Sequence, residues 1–253
     1  MDWHFPIFAE PGAFWLPTLV VAGLFGVRYI LFAGAAYIIG YRCGDALGLR
    51  KLQPAAPTAR QILREIGYST VTVLLFGAVN GMLAARGVLP HTLLYGDVAR
   101  HGWPWFALSI AAALVLHDTY FYWTHRLLHV RPIFRAVHRI HHLSTNPTPW
   151  AAYAFHPVES AVQAVGVVLI IFVLPIHPLA LIAFQMISTA FNVYGHSGYE
   201  LYGPEWPRRP IGRWINSSAA HNTHHAIARY NYGLYFLLWD RWLGTVDPER
   251  GRR

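Results

Sequence analysis

Histidine is the residue type in this chain that most plainly points to chemistry. The sequence has 15 histidines in 253 residues, and eight of them fall into three short motifs: H-R-L-L-H (His125, His129), H-R-I-H-H (His138, His141, His142) and H-N-T-H-H (His221, His224, His225). On a helix, residues three and four apart share a face, so each motif can direct two or three imidazoles at one point. One such motif is typical of a polar helix surface, whereas three together predict a metal site.

The number of these histidines indicates more than one ion. Eight imidazoles exceed the four ligands that a structural zinc takes, and they suit two ions of higher coordination number. Imidazole binds zinc, copper, iron and nickel, so the ligand type alone leaves the element open. The H-E-x-x-H motif of zinc peptidases and the paired Glu-x-x-His of soluble di-iron bundles are both missing from the sequence. Cys43 is the only cysteine, which excludes a thiolate site and an internal disulfide.

The composition predicts that membrane helices position these motifs. Hydrophobic residues make up 55% of the chain and charged residues 13%, whereas soluble domains carry about a quarter charged residues. We expect an all-α, polytopic membrane bundle in which residues 1–253 form one domain. Its predicted parts are three spans and a helical hairpin, with a histidine-rich cap that includes a short interfacial stretch at 231–244: spans at 14–39, 69–85 and 103–123, hairpin at 160–193, and cap at 124–157 and 194–253.

The distribution of basic residues predicts the orientation in the membrane. The loop after the first span carries five basic residues and the loop after the second carries only Arg86 and Arg100, so the positive-inside rule places the first loop in the cytoplasm (Arg42, Arg50, Lys51, Arg60, Arg64). Every histidine motif then lies on the cytoplasmic side. The net charge of +8 suits an anionic membrane surface rather than nucleic acid, because the arginines are spread among apolar runs. Lys51 is the only lysine among 20 basic residues, a usage that favours a bacterial source and a bacterial cytoplasmic membrane.

At this point the sequence resembles the fatty acid hydroxylase/sterol desaturase superfamily. The resemblance covers about half the chain, roughly 118–245, and its motifs follow the family's order: H-D-T-Y-F-Y-W-T-H-R-L-L-H, H-R-I-H-H, F-H-P-V-E, G-H-S-G, H-N-T-H-H, N-Y-G and W-D-R-W-L-G-T. The resemblance implies a helical membrane fold and two iron ions held by histidines. It also implies oxygen as co-substrate and an external electron donor, of the reductase, cytochrome or ferredoxin type.

The resemblance also assigns roles residue by residue. The eight clustered histidines match the family's ligands, and His196 in G-H-S-G matches a further ligand. Some relatives have another histidine four residues later, where this chain has Glu200, and either His156 or Glu200 could fill that coordination place. His156 and Glu159 belong to the H-P-x-E signature, and His156 is either a ligand or a group that supports one.

Several other residues are candidates for supporting roles. A ligating imidazole usually donates its second N–H to a carboxylate or carbonyl, so Asp118 and Asp240 are candidates for that function. Asp240 could instead pair with Arg241 or Arg229 at the interface.

Residues within the spans invite further predictions. His117 lies two turns from His125, too far for a shared ion, and is either a substrate-channel residue or a hydrogen-bonded core histidine. We assign Phe121 and Tyr122 to the same channel, although simple packing would also explain these aromatic residues. Arg28, in the middle of the first span, is expected to be displaced toward an interface rather than paired inside the bundle. The four histidines on the far side are expected at the surface (His4, His91, His101, His177).

These observations together predict an oxygen-dependent di-iron enzyme that hydroxylates or desaturates a membrane lipid, either a sterol or a long-chain acyl or alkyl compound. Two alternatives use the same histidines: a zinc hydrolase, which would need neither oxygen nor reductant, and a metal transporter or store. Transport normally places ionisable groups at the middle of the membrane, whereas these motifs lie beyond the span ends. The sequence leaves open the lipid, the choice between alcohol and alkene, the electron donor and the oligomeric state.

Overall fold

The computed structural model describes residues 14–53 and 55–250, and most of this part of the chain is helical. It forms eight α-helices, with short 3₁₀ turns between them: α1 Trp15–Cys43, α2 Ala59–Ala85, α3 Gly102–Leu128, α4 Arg131–Ala136, α5 Pro157–Val173, α6 Pro178–Gly195, α7 Ser218–Ile227 and α8 Leu238–Trp242. Two short strands, β1 Arg50–Lys51 and β2 Tyr199–Glu200, pair in antiparallel fashion. His4 lies outside the described residues.

Within the described residues, three helices are long and apolar enough to cross a membrane, namely α1, α2 and α6. The 17-residue α5 is a shorter apolar helix, and α3 has 27 residues but is less apolar because its second half contains His117, Asp118 and His125. Large apolar side chains on the outside of α1 are exposed, for example Leu19 and Leu24 at 64% and 66%. An apolar outer surface on helices of this length is that of a membrane bundle, as the composition predicts.

Small residues bring the first two long helices into close contact. A Cβ atom at Gly77 in α2 would lie 2.7 Å from the Cβ of Ala22 in α1, so only glycine permits this approach. On the other side of the bundle, α3, α5 and α6 share an apolar cluster around Phe184 and Ile170. The packed helices form a scaffold whose ends carry the histidine motifs.

The predicted spans correspond to helices, but several boundaries differ. Helix α2 begins at Ala59, ten residues before the apolar run, with the Thr58 hydroxyl as its N-cap acceptor. Its polar first turns contact the histidine-rich cap, since Gln61 donates to the carbonyl of Asn146 and Arg64 to that of Leu143. Within 231–244 only the five residues of α8 are helical.

Two expectations about individual residues are wrong. Arg28 is paired inside the bundle rather than displaced, because its side chain is 8% exposed and donates to Gln185 Oε1 at 2.6 Å. His177 is buried rather than on the surface. Its Nδ1 accepts from the backbone N–H of Leu179 at the start of α6, and its Nε2 lies 3.1 Å from the Gly96 carbonyl oxygen. His91 and His101 are exposed, as predicted.

Candidate metal centre

The three histidine motifs and His196 converge at one end of the bundle. Their nitrogens form two groups, and within each group the ligand atoms lie within 4.8 Å of one another. The first group contains five histidines and the second contains four: His125, His129, His138, His142 and His224 in the first, and His141, His196, His221 and His225 in the second. The structure thus brings together all nine histidines that the sequence marks as candidate ligands.

Different local structures position these side chains. His125 lies in the last turns of α3 and His129 is its C-cap, whereas His138, His141 and His142 lie on a 3₁₀ helix at His138–Leu143. The H-N-T-H-H motif lies on α7, which begins after the N-cap Ser217, whose hydroxyl accepts from the Ala220 N–H. His196 directly follows the last residue of α6. All nine except the half-buried His129 are buried.

Hydrogen bonds fix the tautomers of several rings. The Nδ1 atoms of His125, His196 and His224 lie 2.8, 2.7 and 2.6 Å from the backbone carbonyl oxygens of Tyr232, Asn192 and Tyr230. A carbonyl oxygen can only accept, so each of these Nδ1 atoms carries the proton and donates it. In a neutral imidazole the Nε2 atom then presents a lone pair.

The Nε2 atoms face one another at distances that suit a shared ion. His196 Nε2 lies 3.1 Å from that of His221 and 3.2 Å from those of His141 and His225. In the first group, the Nε2 pairs His125–His138 and His129–His224 are each 3.1 Å apart. Metal–nitrogen bonds of about 2.1 Å place neighbouring ligand nitrogens about 3.0 Å apart at right angles and about 3.4 Å apart in a tetrahedron.

Hydrogen bonding within the protein leaves part of this nitrogen set unsatisfied. The Nε2 atom of His142 in the first group is buried and has no hydrogen-bond partner among the described residues. Three Nε2 atoms, those of His196, His221 and His225, form a triangle with sides of 3.1 to 3.2 Å, and His196 contributes a lone pair to it. A metal ion satisfies such a set of lone pairs, so the donors fit two histidine-bound ions.

Burial keeps these imidazoles in the neutral form that metals bind. It lowers the pKa of His196 to about 4, and it lowers the pKa values of His221 and His224 well below the usual range, with the neighbouring histidines adding to the effect. The protein thus presents lone pairs rather than protonated rings at neutral pH.

Glu159 is the one carboxylate in direct contact with a candidate ligand among the described residues. Its Oε1 lies 2.8 Å from His138 Nδ1, and both side chains are 1% exposed. Burial raises the pKa of the Glu159 carboxyl well above its usual range. A cation bound through His138 would favour the ionised carboxylate and so strengthen this contact.

The other candidate supporting residues lie outside the two groups. Asp118 accepts from the backbone N–H groups of Leu234 and Tyr235. Asp240 accepts from those of Tyr232 and Gly233, and from the Thr245 hydroxyl, rather than pairing with a neighbouring arginine. Both aspartates therefore hold the loop whose Tyr232 carbonyl orients His125.

His156 and Glu200 also lie outside the groups. The His156 ring is the N-cap of α5, since its Nδ1 accepts from the Val158 N–H at 3.2 Å. Glu200 is buried and accepts from the Tyr194 hydroxyl and from the N–H groups of Tyr202 and Ala219. In this arrangement His156 caps α5 and Glu200 accepts from the first turn of α7.

A small cavity of about 50 Å³ lies between the helices of the bundle. His117 and Phe121 line it, as the substrate-channel prediction requires, and Tyr122 does not. Tyr122 instead contacts the Thr245 hydroxyl and the Trp239 ring. Two phenylalanines separate the cavity from the metal groups: the ring centroids of Phe121 and His125 are 5.0 Å apart, and those of Phe155 and His141 are 5.1 Å apart.

Sequence reasoning missed the carbonyl acceptors of Asn192, Tyr230 and Tyr232. Any residue has a backbone carbonyl, so side-chain type gives no signal for this role. The only local sign is the N-Y-G triplet that begins at Asn231, since asparagine and glycine favour turns. Asn231 does adopt a left-handed conformation with φ of 57°.

Comparisons with known proteins agree with this geometry. The fatty acid hydroxylase family model matches residues 110–245, which is more than half of the chain. A Delta(7)-sterol 5(6)-desaturase of Gibberella zeae is 34% identical over 185 residues, which cover 73% of this chain and 56% of that protein. Lathosterol oxidase of Mus musculus is 34% identical over 191 residues, which cover 72% of this chain and 60% of that protein.

A Delta(7)-sterol 5(6)-desaturase of Leptosphaeria maculans is 28% identical over 232 residues, 91% of this chain and 61% of that protein. The chain thus spans somewhat more than half the length of these curated relatives. No solved structure matches it significantly. The family match covers the elements that carry the candidate ligands, and the chain belongs to the fatty acid hydroxylase/sterol desaturase superfamily.

Proposed function

We propose that this protein is an oxygen-dependent di-iron enzyme that hydroxylates or desaturates a sterol or long-chain lipid within the membrane. The observation that carries the proposal is the pair of adjacent histidine groups, whose Nε2 atoms lie at coordination spacing beside an internal cavity. The relatives are named as a desaturase and an oxidase, and both names denote redox chemistry.

The residues of the chain would have two different roles at the site. The nine histidines would hold the ions, and Glu159 together with the three backbone carbonyls would keep the rings in the required tautomer. Two iron ions bound there would supply the redox chemistry that activates oxygen toward an unactivated C–H bond. Iron is the choice because a hydrolytic zinc ion would leave the redox character of the relatives unexplained.

The surroundings of the site suit an apolar substrate. Phe121 and Phe155 border both the cavity and the histidine groups, so a hydrocarbon segment can approach the ligands without bringing bulk water with it. Phe184 and Val167 add apolar walls. Hydroxylation and desaturation differ in the placement of a second C–H bond, so one cavity can serve either outcome.

The proposal includes an external electron donor and a cytoplasmic site. The chain has no dinucleotide-binding or iron–sulfur motif, so the electrons for oxygen reduction come from a partner protein. The basic first loop lies beside the histidine cap, since Arg50–Lys51 pairs with Tyr199–Glu200 just after His196. By the positive-inside rule that shared face is cytoplasmic, where a soluble reductase can reach it.

The test uses purified protein reconstituted with iron, a reductase system and a lipid extract that contains Δ7-sterols and long-chain acyl lipids. We expect product only with both oxygen and reductant. A hydroxylated product should carry label from isotopic oxygen gas, and a desaturated product should carry none while oxygen is still consumed. A His142→Ala variant is the control. Product formed without oxygen, or with oxygen drawn from water, would show hydrolytic chemistry and refute the proposal.

A further inference from the structure

Arg28 places a permanent positive charge in the middle of a membrane-spanning helix. It lies thirteen residues after the first residue of α1 and fifteen before the last, and its side chain is 8% exposed. Within 14–53 and 55–250, no carboxylate lies at ion-pair distance from it. An arginine at the centre of a bilayer is costly and normally faces a partner or a cavity.

The contacts of Arg28 leave part of the guanidinium free. One Nη atom donates to Gln185 Oε1 at 2.6 Å, and the group lies over the Phe25 ring, 4.1 Å from its centroid. The Nε atom is buried and has no hydrogen-bond partner. Both partners are neutral, so the charge is solvated only partly by the protein.

Arg28 lines the same small cavity, which Phe121 and Phe155 separate from the metal groups. Gln163, Gln185 and Ser188 are further polar residues of its wall. The wall also contains Phe121 and Phe155, whose rings contact the candidate ligands His125 and His141. The cavity wall therefore combines polar groups that suit an oxygen atom with apolar groups next to the candidate metal ligands.

We propose that Arg28 binds the polar oxygen of the lipid substrate and thereby determines which carbon reaches the metal centre. The inference rests on the proposed function, since it assigns the cavity to the substrate of that reaction. Gln185 precedes His196 by eleven residues on α6, which corresponds to about 16 Å along the helix. A substrate held at Arg28 thus presents a carbon far from its oxygen, such as the middle of an acyl chain or the far end of a sterol.

The ligand that this site selects has a hydroxyl or carboxylate oxygen at one end and a long apolar body. Both oxygens accept hydrogen bonds from a guanidinium, and a carboxylate would in addition neutralise its charge. An alkane, or a sterol without its oxygen, makes the same apolar contacts but offers no hydrogen-bond acceptor to the Arg28 guanidinium. Two lipids that differ only in this oxygen atom should therefore differ in binding affinity, and that difference measures the contribution of Arg28.

The experiment measures equilibrium binding of four radiolabelled probes to the metal-loaded, full-length protein in detergent. The probes are a Δ7-sterol, the same sterol without its hydroxyl, a saturated long-chain fatty acid and the corresponding alkane. We expect wild type to prefer the oxygen-bearing member of at least one pair, and that pair identifies the headgroup. Arg28→Met should weaken binding of that member about ten- to a hundred-fold, as expected for a hydrogen bond to a charged group, and leave the oxygen-free member unchanged.

Two further variants keep the test decisive. Arg42→Met removes the same charge from an exposed position of the same helix and should change nothing. Gln185→Glu keeps Arg28 and the side-chain volume but supplies an internal counter-ion, so it should also reduce the preference for oxygen even if Arg28→Met fails to fold. Equal binding of both members by wild type, equal weakening of both by Arg28→Met, or an intact preference in Gln185→Glu would each overturn the inference. Since binding is measured without turnover, failure of the oxygenase proposal would be seen separately.

Discussion

The contact between Glu159 and His138 allows a graded test of how the protein holds its metals. Glu159 lies in the first turn of α5, is almost completely buried, and places Oε1 2.8 Å from His138 Nδ1. Glu159→Gln retains an acceptor oxygen but removes the charge. Glu159→Leu removes both and leaves the His138 N–H without a partner.

The expected magnitudes follow from this contact. A hydrogen bond to a charged group contributes about 1.5 to 3 kcal/mol and a neutral one about 0.5 to 1.5 kcal/mol, so losing the charge costs about 1 to 1.5 kcal/mol. At about 1.4 kcal/mol per factor of ten, Glu159→Gln should weaken metal binding about five- to ten-fold. Glu159→Leu should weaken it about ten- to a hundred-fold, the range typical for losing such a partner of a ligand.

The assay is competition for iron between the purified protein and a chelator of known affinity, with metal content measured after equilibration. Glu65→Gln is the matched control. Glu65 is equally buried but accepts from the Gln61 amide and the Thr148 hydroxyl rather than from a histidine. Its substitution should leave metal affinity within about two-fold. Equal losses in Glu159→Gln and Glu65→Gln, or no loss in Glu159→Leu, would refute the reasoning.

Three further predictions concern stoichiometry, topology and pH. His141→Ala and His142→Ala should each reduce bound metal from about two ions to about one, as measured by elemental analysis, because these neighbours belong to different groups, whereas His91→Ala at an exposed position should retain both. Loss of both ions from either single variant would contradict separate groups. Cys43 is exposed beside the basic loop and should react with a membrane-impermeant thiol reagent only when the cytoplasmic side is opened; labelling from outside sealed cells would reverse the orientation. Folding lowers the pKa of His196 from its usual 6.5 to about 4, so the folded state binds fewer protons in that window. The thermal midpoint of the metal-free protein should therefore fall as pH decreases from about 6.5 toward 4, and less so in His196→Gln.

The membrane helices could be predicted from sequence because apolar length is a strong signal, but their ends could not. Helix α2 extends ten residues before its apolar run, since Gln61 and Arg64 find carbonyl partners on the histidine-rich cap. The pairing of Arg28 inside the bundle could not be predicted for a related reason. Its partner Gln185 is 157 residues away, and no local pattern shows that the two helices meet.

The ligand candidates could be predicted because histidine spacing is local, whereas their division into two groups depends on tertiary structure. From the sequence alone, the histidines of one motif are expected to bind at one point. In the structure, His141 and His142 belong to different groups, and so do His224 and His225. The first group also combines residues from α3, the 3₁₀ helix and α7, which only the packing of these elements brings together.

The division of the paired histidines has a simple geometric cause. Consecutive residues point about 100° apart around an α-helix and about 120° apart around a 3₁₀ helix, so two neighbouring imidazoles leave the helix in different directions. The ring planes of His141 and His142 are perpendicular, at 90°, and those of His224 and His225 lie at 87°.

The first histidine of each motif belongs to the same group as the last: His138 lies with His142, and His221 with His225. The H-x-x-H-H spacing therefore places one short helix between the two histidine groups. Two copies of it, with His142 and His225 stacked 4.8 Å apart between the groups, hold both sites at a fixed separation. This stacked pair at the boundary of the two groups is the physical reason why the motif suits a two-metal centre better than two independent zinc sites.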